Sequence, residues 1–188
     1  MDRYIDIRLQ PDPEFTPPLL MSALFTKLHR GLVELGTGGV GVSFPEVEDE
    51  KVRGLGDRLR LHGTENELSR LMSLTWLAGM HDLVVIGQIS TVPDTARHRI
   101  VQRVQAKSSP ERLRRRWMKR KGIDAQAALE KLPDNIAERL DLPFVSLTSQ
   151  STGQRFRLFI RHGPLQCCAT TGKFSSYGLS QSTTIPWF

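Results

Sequence analysis

The chain opens with a period of two. Ile5, Ile7 and Leu9 alternate with Tyr4, Asp6 and Arg8, which predicts a half-buried strand. Pro17 and Pro18 then start a helix whose apolar residues, Leu20, Met21, Leu24, Phe25, Leu28, Leu32 and Leu35, share one face at helical spacing. Gly36, Gly38 and Gly39 end it. Alternation returns at Val40, Val42 and Phe44, and again at Leu59 and Leu61 after an acidic loop. Thr64 and Glu67 stand at capping-box spacing at the head of "TENELSRLMSLTWL", a second helix. Leu83 to Ile86 supplies a fourth strand. The order strand, helix, strand, strand, helix, strand is the βαββαβ pattern of ferredoxin-like domains, and it closes near Pro93. The fold class expected is α+β.

The remainder is patterned differently. "RHRIVQRVQAK", from Arg97 to Lys107, alternates and places Arg99, Val101, Arg103, Gln105 and Lys107 on one side of an extended segment. Ser108 and Glu111 repeat the capping-box spacing, Pro110 suits a first turn and Gly122 a stop, so a third helix follows. Phe144 to Thr148 and Arg155 to Arg161 read as two strands around the polar turn "SQSTGQ". "CCATTGKFSSYGLS" reads as a second hairpin turning at Thr171, Gly172 and Lys173.

Charge sharpens this picture. The whole chain carries +6, yet residues 97 to 121 hold 11 Lys/Arg against the single acid Glu111, and the rest is net acidic. A localised excess of this kind is the footprint of a polyanion site. On the third helix Arg112, Arg115, Arg116, Lys119 and Arg120 fall on one face, with Leu113 and Trp117 beside it. A solvated helix mixes Glu among its Lys and Arg to gain i,i+4 pairs, whereas this one is built to lie along phosphates. Arg103 and Gln105, two apart in an extended segment, suit two adjacent purines, because Arg pairs with guanine and Gln with adenine. DNA and RNA both remain open on these features, since no helix-turn-helix, zipper or dimer seam is present.

Composition excludes other classes. The hydrophobic fraction of 39% and charged fraction of 24% are globular values. Apolar runs are too short to cross a bilayer, and the N-terminal stretch lacks the apolar core of a signal peptide. The cysteines, Cys167 and Cys168, are neighbours, poorly placed for a bridge or a zinc site, which points to a reducing compartment, the cytoplasm. The acids of "EVEDE", Glu46 to Glu50, read as a solvated loop, so neither a catalytic metal nor a cofactor is expected. His29 sits at the edge of the first helix's buried stripe, either a boundary residue or a catalyst. Phe156 is either a core residue or a platform for a base, and Ser149 and Tyr177 lie near strand ends, where ordinary turn chemistry is the simpler reading.

Taken together, "MDRYIDIRLQPDPEF", "LFTKLHR", "RVQAKSSPERLRRRWMKR", "LPFVSLTSQSTGQRFRLFIRHGPLQ" and the final "PWF" resemble the CRISPR-associated endoribonuclease of the type I-F (Csy) subtype along the whole chain. The resemblance implies a ferredoxin-like domain over residues 1–94 and a smaller α/β RNA-recognition domain with an arginine-rich helix over 95–188. It makes His29 the catalytic histidine, Ser149 the residue that positions the ribose and Tyr177 the residue that orients His29. Arg103 and Gln105 become readers of purines at the hairpin base, and Phe156 stacks under the terminal base pair. Arg112, Arg115, Arg116, Lys119 and Arg120 of the helix, with Lys107, Ser151 and Thr152, complete the implied RNA contacts. Lys119 stands where arginine is expected; it keeps the charge and gives up the bidentate fork.

The reaction implied is cleavage of CRISPR repeat hairpins without metal, by 2′-hydroxyl attack leaving a 2′,3′-cyclic phosphate. The product stays bound as the enzyme enters the type I-F surveillance complex. A non-catalytic RNA-hairpin-binding protein is the alternative, and a DNA-binding regulator a more distant one.

Overall fold

Ile5, Ile7 and Leu9 are all buried from the first strand, β1 (Arg3–Leu9), as its alternation predicts. The structure, a computed structural model, describes residues 1–48, 54–105, 110–131, 140–149 and 152–188, and the side chains of 110–113 lie outside the described set. Helix α1 (Pro17–Leu35) follows, its Leu20, Met21, Leu24, Phe25, Leu28 and Leu32 buried. Gly36 ends it at φ 69°, a left-handed cap whose N–H donates to the Leu32 carbonyl. Then come β2 (Gly41–Ser43), β3 (Arg58–Gly63), α2 (Glu65–Ser73), β4 (Val84–Ile86) and the short β5 (Ser90–Thr91). The sheet has the order β2-β3-β1-β4, with β5 also on β1, and the pairings are antiparallel.

A second antiparallel sheet has the order β7-β8-β6-β9, built from β6 (Arg97–Val104), β7 (Phe144–Thr148), β8 (Arg155–His162) and β9 (Thr184–Trp187). Two further helices, α3 (Pro110–Lys121) and α4 (Ala125–Lys131), bring the α-helices to four among the described residues. The protein is thus a mixed α/β molecule with two antiparallel sheets. By packing, it divides into Met1–Arg103 with Leu142–Phe188 as one compact unit, and Val104–Asp141 as another. In the smaller unit Gly122 caps α3 at φ 63°, Asp124 caps α4 through the Ala127 N–H, and Ala128 is fully buried.

Four expectations are corrected. The segment 167–183 forms no hairpin, and β9 was unread because Pro186 breaks a strand pattern; it is tolerated there because β9 lies at the sheet edge. Arg99 does not join an exposed basic face: it is 4% exposed, donates twice to the Gly163 carbonyl, pairs with Glu48 at 2.7 Å and lies over the Trp187 ring. The acidic loop is likewise not merely solvated, since Glu46 pairs with Arg58 at 3.2 Å and Glu48 with Arg99, while Asp49 and Glu50 lie outside the described residues. At the head of α2, Thr64 accepts from the Glu67 N–H, but the Glu67 carboxylate accepts from Thr37 Oγ1 at 2.7 Å instead of closing the capping box.

The first sheet is buried on both faces. Leu59 and Leu61 of β3 oppose Ile7 and Ile5, while Arg60 and His62 point the other way, opposite Asp6 and Tyr4. Arg60 makes a two-pronged pair with Asp6 at 2.6 and 2.9 Å and lies against the Tyr4 and Phe188 rings, which meet edge-on, so its charge is both neutralised and covered. His62 is fully buried, sharing a 2.8 Å hydrogen bond between its Nε2 and Ser43 Oγ. His162 of β8 packs edge-on to Phe44 and Trp187 with neither nitrogen bonded among the described residues. Burial, with Arg60 near one ring and Arg99 near the other, pushes both histidines down to about 3.

These rings therefore stay neutral in the fold but take up protons below about pH 6.5 once unfolded. Stability is unpenalised above that pH and is lost progressively as pH falls towards 3. Denaturant titrations between pH 7.5 and 5 are expected to show stability falling on acidification, with a slope approaching about 2.7 kcal/mol per pH unit for two protons. Replacing either histidine with a neutral side chain is expected to remove about half of that slope. A flat profile would mean that neither ring is held neutral.

Candidate active-site cleft

Residues Thr26, His29, Arg30 and Val33 recur at helical spacing along one side of α1, beside the buried stripe. Against that side packs β7, fixed by the Ser146 N–H donating to Ser22 Oγ at 3.0 Å. Between them opens a cleft of about 620 Å³, lined by His29, Arg103, Ser149, Phe156 and Tyr177 among others. Five side chains singled out in the sequence, from four separate stretches of chain, share this one concavity.

His29 is half-buried, and its Nδ1 lies 2.8 Å from the Ser176 carbonyl oxygen. A carbonyl only accepts, so Nδ1 carries the hydrogen and the neutral ring keeps its lone pair on Nε2. The Tyr177 ring stacks on His29 at 4.1 Å between centroids and 11° between planes, and it is nearly parallel to Phe25 one helical turn earlier. The orientation of His29 is therefore held by stacking and by the backbone, not by the tyrosine hydroxyl.

That backbone belongs to a clamped loop. Phe174 N–H donates to the Gly38 carbonyl, Ser175 N–H to Leu179, Gly178 N–H to Ser175, and Val42 N–H of β2 to Gly178. Gly178 sits at φ 68°, and a Cβ there would run into Val42. Ser176 and Gly178 were missed as site residues in the sequence; the signal available was the glycine directly after Tyr177 in "SSYGLS".

Ser149 begins the turn between β7 and β8. Its N–H donates to the Gln154 carbonyl at 2.9 Å, its carbonyl accepts from Gly153, and its Oγ accepts from the Thr152 N–H at 3.3 Å. Gly153 takes φ 67°, and Thr152 is exposed. Phe156 pairs across the ladder with Leu147, so the two share a face; it packs on the core at one edge and lines the cleft at the other. Arg103 reaches between the two aromatics, its guanidinium 5.9 Å from the Phe156 centroid and 5.8 Å from Tyr177. Its Nε is buried without a hydrogen-bond partner among the described residues.

Gln105 follows β6 directly and is exposed. In the smaller unit, Arg115, Arg116, Lys119 and Arg120 are exposed on α3 and form no ion pair among the described residues. Trp117 beside them is 38% exposed. Lys107 and Ser151, and the side chain of Arg112, lie outside the described residues.

Among the described residues no group of three or more His, Cys, Asp or Glu is placed to hold a metal ion, and no helix is long and apolar enough to cross a membrane. Of the described residues lining the cleft, Glu34 supplies the one carboxylate.

Comparison with known proteins places this site in context. A CRISPR-associated endonuclease Cas6/Csy4 from Pseudomonas aeruginosa (strain UCBPP-PA14) is 53% identical over 188 residues, covering all of both chains. A CRISPR-associated endonuclease Cas6/Csy4 from Escherichia coli (strain UTI89 / UPEC) is 47% identical, again over the full length of both. Among solved structures, "An RAMP protein binding different RNA substrates" covers 98% of this chain and 100% of its own at 12% identity, with a TM-score of 0.37, too loose a likeness to carry an argument. The family model described as CRISPR-associated protein (Cas_Csy4) matches residues 4–188, and with two full-length relatives at this identity the chain belongs to that family.

Proposed function

We propose that the protein is the endoribonuclease that cuts CRISPR repeat hairpins in precursor transcripts to make guide RNAs. The observation that carries this reading is the single cleft uniting His29, Ser149, Tyr177, Arg103 and Phe156 in a chain of the Cas_Csy4 family, whose full-length relatives are named endonucleases. The helices and strands from β1 to β4 are read as a ferredoxin-like domain, supported by their βαββαβ order and the sheet order β2-β3-β1-β4. Residues 95–188 are read as the RNA-recognition region.

The chemistry follows from the donors present. RNA carries its own nucleophile, the 2′-hydroxyl, and in-line attack on the adjacent phosphorus releases a 5′-hydroxyl and leaves a 2′,3′-cyclic phosphate. His29, with Nδ1 committed to Ser176, has Nε2 to exchange the proton that this displacement must move. Ser149, at the start of its turn, holds the attacking ribose, so that alignment supplies much of the rate. Tyr177 acts as a stacking plate that fixes the plane of His29. Arg103, which lines the cleft, reads a purine at the foot of the stem, next to Gln105, and Phe156 stacks under the closing pair.

The exposed cations of α3, with Arg112 and Lys107, neutralise stem phosphates, and Ser151 and Thr152 add contacts at the β7–β8 turn. No metal takes part in this scheme. The enzyme keeps its product and carries it into the type I-F surveillance complex in the cytoplasm.

His29→Ala is expected to abolish cleavage and leave hairpin affinity within about a few-fold, because the ring moves a proton and contributes little binding. A 2′-deoxyribose just 5′ of the scissile phosphate is expected to block the reaction, and excess EDTA to leave it unchanged. Wild-type cleavage by the alanine variant, or loss on chelation that Mg²⁺ restores, would overturn the mechanism.

Gly178→Ala is expected to lower the cleavage rate by roughly 10²-fold, since shifting Ser176 and Tyr177 misplaces His29. Its cost in stability is expected to exceed the roughly 1–3 kcal/mol strain of a left-handed alanine, because the new Cβ also overlaps buried Val42. Single-turnover rates and unfolding curves separate the two effects; an unchanged rate would show that the loop does not position His29.

Neutralising Arg115, Arg116, Lys119 or Arg120 singly is expected to weaken all hairpins alike and to lower the salt slope by roughly one charge. Arg103→Ala and Gln105→Ala are expected instead to cost the cognate hairpin roughly 1–3 kcal/mol more than one with altered lower-stem purines. Binding curves at several salt concentrations on both stems check this; equal losses on both stems would remove the pair from sequence readout.

A further inference from the structure

A second cleft, of about 410 Å³, opens beside Tyr177 and is lined by Arg103, Lys173, Ser175, Ser176, Ser180 and Gln181 among others. It shares Arg103 and Tyr177 with the cleft that holds His29 and Ser149, so the two clefts adjoin at these side chains. Its chemistry is one-sided: two cations, serine hydroxyls and an amide, with no acid among the described lining residues. Lys173 is exposed and forms no ion pair among the described residues. Its backbone is nonetheless well held, with Thr183 Oγ1 donating to its carbonyl at 3.4 Å and the next N–H bonded to Gly38. Gln181 Nε2 donates to the Arg103 carbonyl at 3.0 Å, which ties the far wall to β6. A rigid wall with a free ammonium and several hydroxyls fits a phosphodiester and the ribose beside it.

We propose that this cleft receives the single-stranded RNA immediately 3′ of the scissile phosphate, with Lys173 on one of its phosphates. The inference rests on the endoribonuclease reading above and extends it to a strand that reading leaves unplaced. Phe156, assigned to the closing pair, and Ser149, assigned to the ribose 5′ of the break, line the first cleft and are not among the described residues lining the second. Phe156 also lines the groove between α1 and β7–β8, together with Arg155 and Arg157, so that groove lies on the stem side. The path left to the strand beyond the break runs over Tyr177, away from Phe156. A contact there exists only before cleavage, because the retained product ends at the cyclic phosphate. Lys173 thus favours precursor over product and eases exchange of one for the other.

The test uses the full chain and hairpins made uncleavable by a 2′-deoxyribose at the attacking position, ending at the break or extended by about six nucleotides, on the 3′ side in one set and the 5′ side in another. For wild type, the 3′ extension is expected to raise affinity. Lys173→Ala is expected to weaken binding of the 3′-extended RNA by roughly tenfold, and to lower its salt slope by about 0.7. RNA ending at the break is expected to bind the variant as it binds wild type. Lys173→Glu is expected to exaggerate the same difference.

Equal losses on both RNAs, no loss, or a loss confined to the 5′-extended set would overturn the inference while leaving the endoribonuclease reading intact. Failure of the wild type to bind the hairpin at all would overturn both.

Discussion

Val42 of β2 donates its N–H to the Gly178 carbonyl at 2.9 Å and lies where any side chain on Gly178 would have to go. This contact sews a loop that has no regular secondary structure onto the central sheet. Through it the Ser176 carbonyl reaches Nδ1 of His29, and the Tyr177 ring comes to lie flat between His29, Phe25 and the Arg103 guanidinium. The geometry of the cleft thus follows from how closely two backbones approach. The loop is held at both ends, by β2 at Gly178 and by the Gly38 carbonyl just before β2 at Phe174, which is how an irregular segment can hold a carbonyl in place.

Arginines play two opposed parts in this molecule, and burial separates them. Arg60 and Arg99 are nearly inaccessible, each paired with an acid, bonded to a carbonyl and covered by an aromatic ring. Guanidinium is the cation best suited to that role, because it is weakly hydrated and offers five donors in one plane. Arg115, Arg116 and Arg120 of α3 are exposed and form no ion pair among the described residues, so their mutual repulsion persists until an anion arrives. Arg103 stands between these cases, half-buried between rings with an unused donor. The structural arginines cover one face in each sheet, and the exposed ones carry the excess positive charge.

Neutral buried histidines give the scaffold a weakness at low pH. His62 and His162 sit on the faces of the sheets where polar residues have been drawn inside, and their rings cannot gain a proton there without losing their packing. His29 lies instead at the half-exposed edge of α1 and lines the cleft, so the chain packs two imidazoles in its core and leaves a third at a concave surface.

Local order along the chain determined most of the framework. The alternation of β1, the stripe of α1, its glycine cap and the capping residue of α2 are written in spacings of two to four residues, and the structure follows them. The basic helix was legible for the same reason, since charge on one helical face depends only on neighbours. The strand β9, the inward turn of Arg99 and the Glu67–Thr37 bond were not legible, because each depends on a partner tens of residues away.

The site divides in the same way. Family resemblance singled out His29, Ser149, Tyr177, Arg103 and Phe156 one at a time, but only the packing of β7 on α1 and of the 173–179 loop on β2 brings them to one cleft. Periodicity reports which side of an element is apolar. Which backbone carbonyl will face a histidine 147 residues away is decided by tertiary contact, because a carbonyl carries no signature in the identity of its residue.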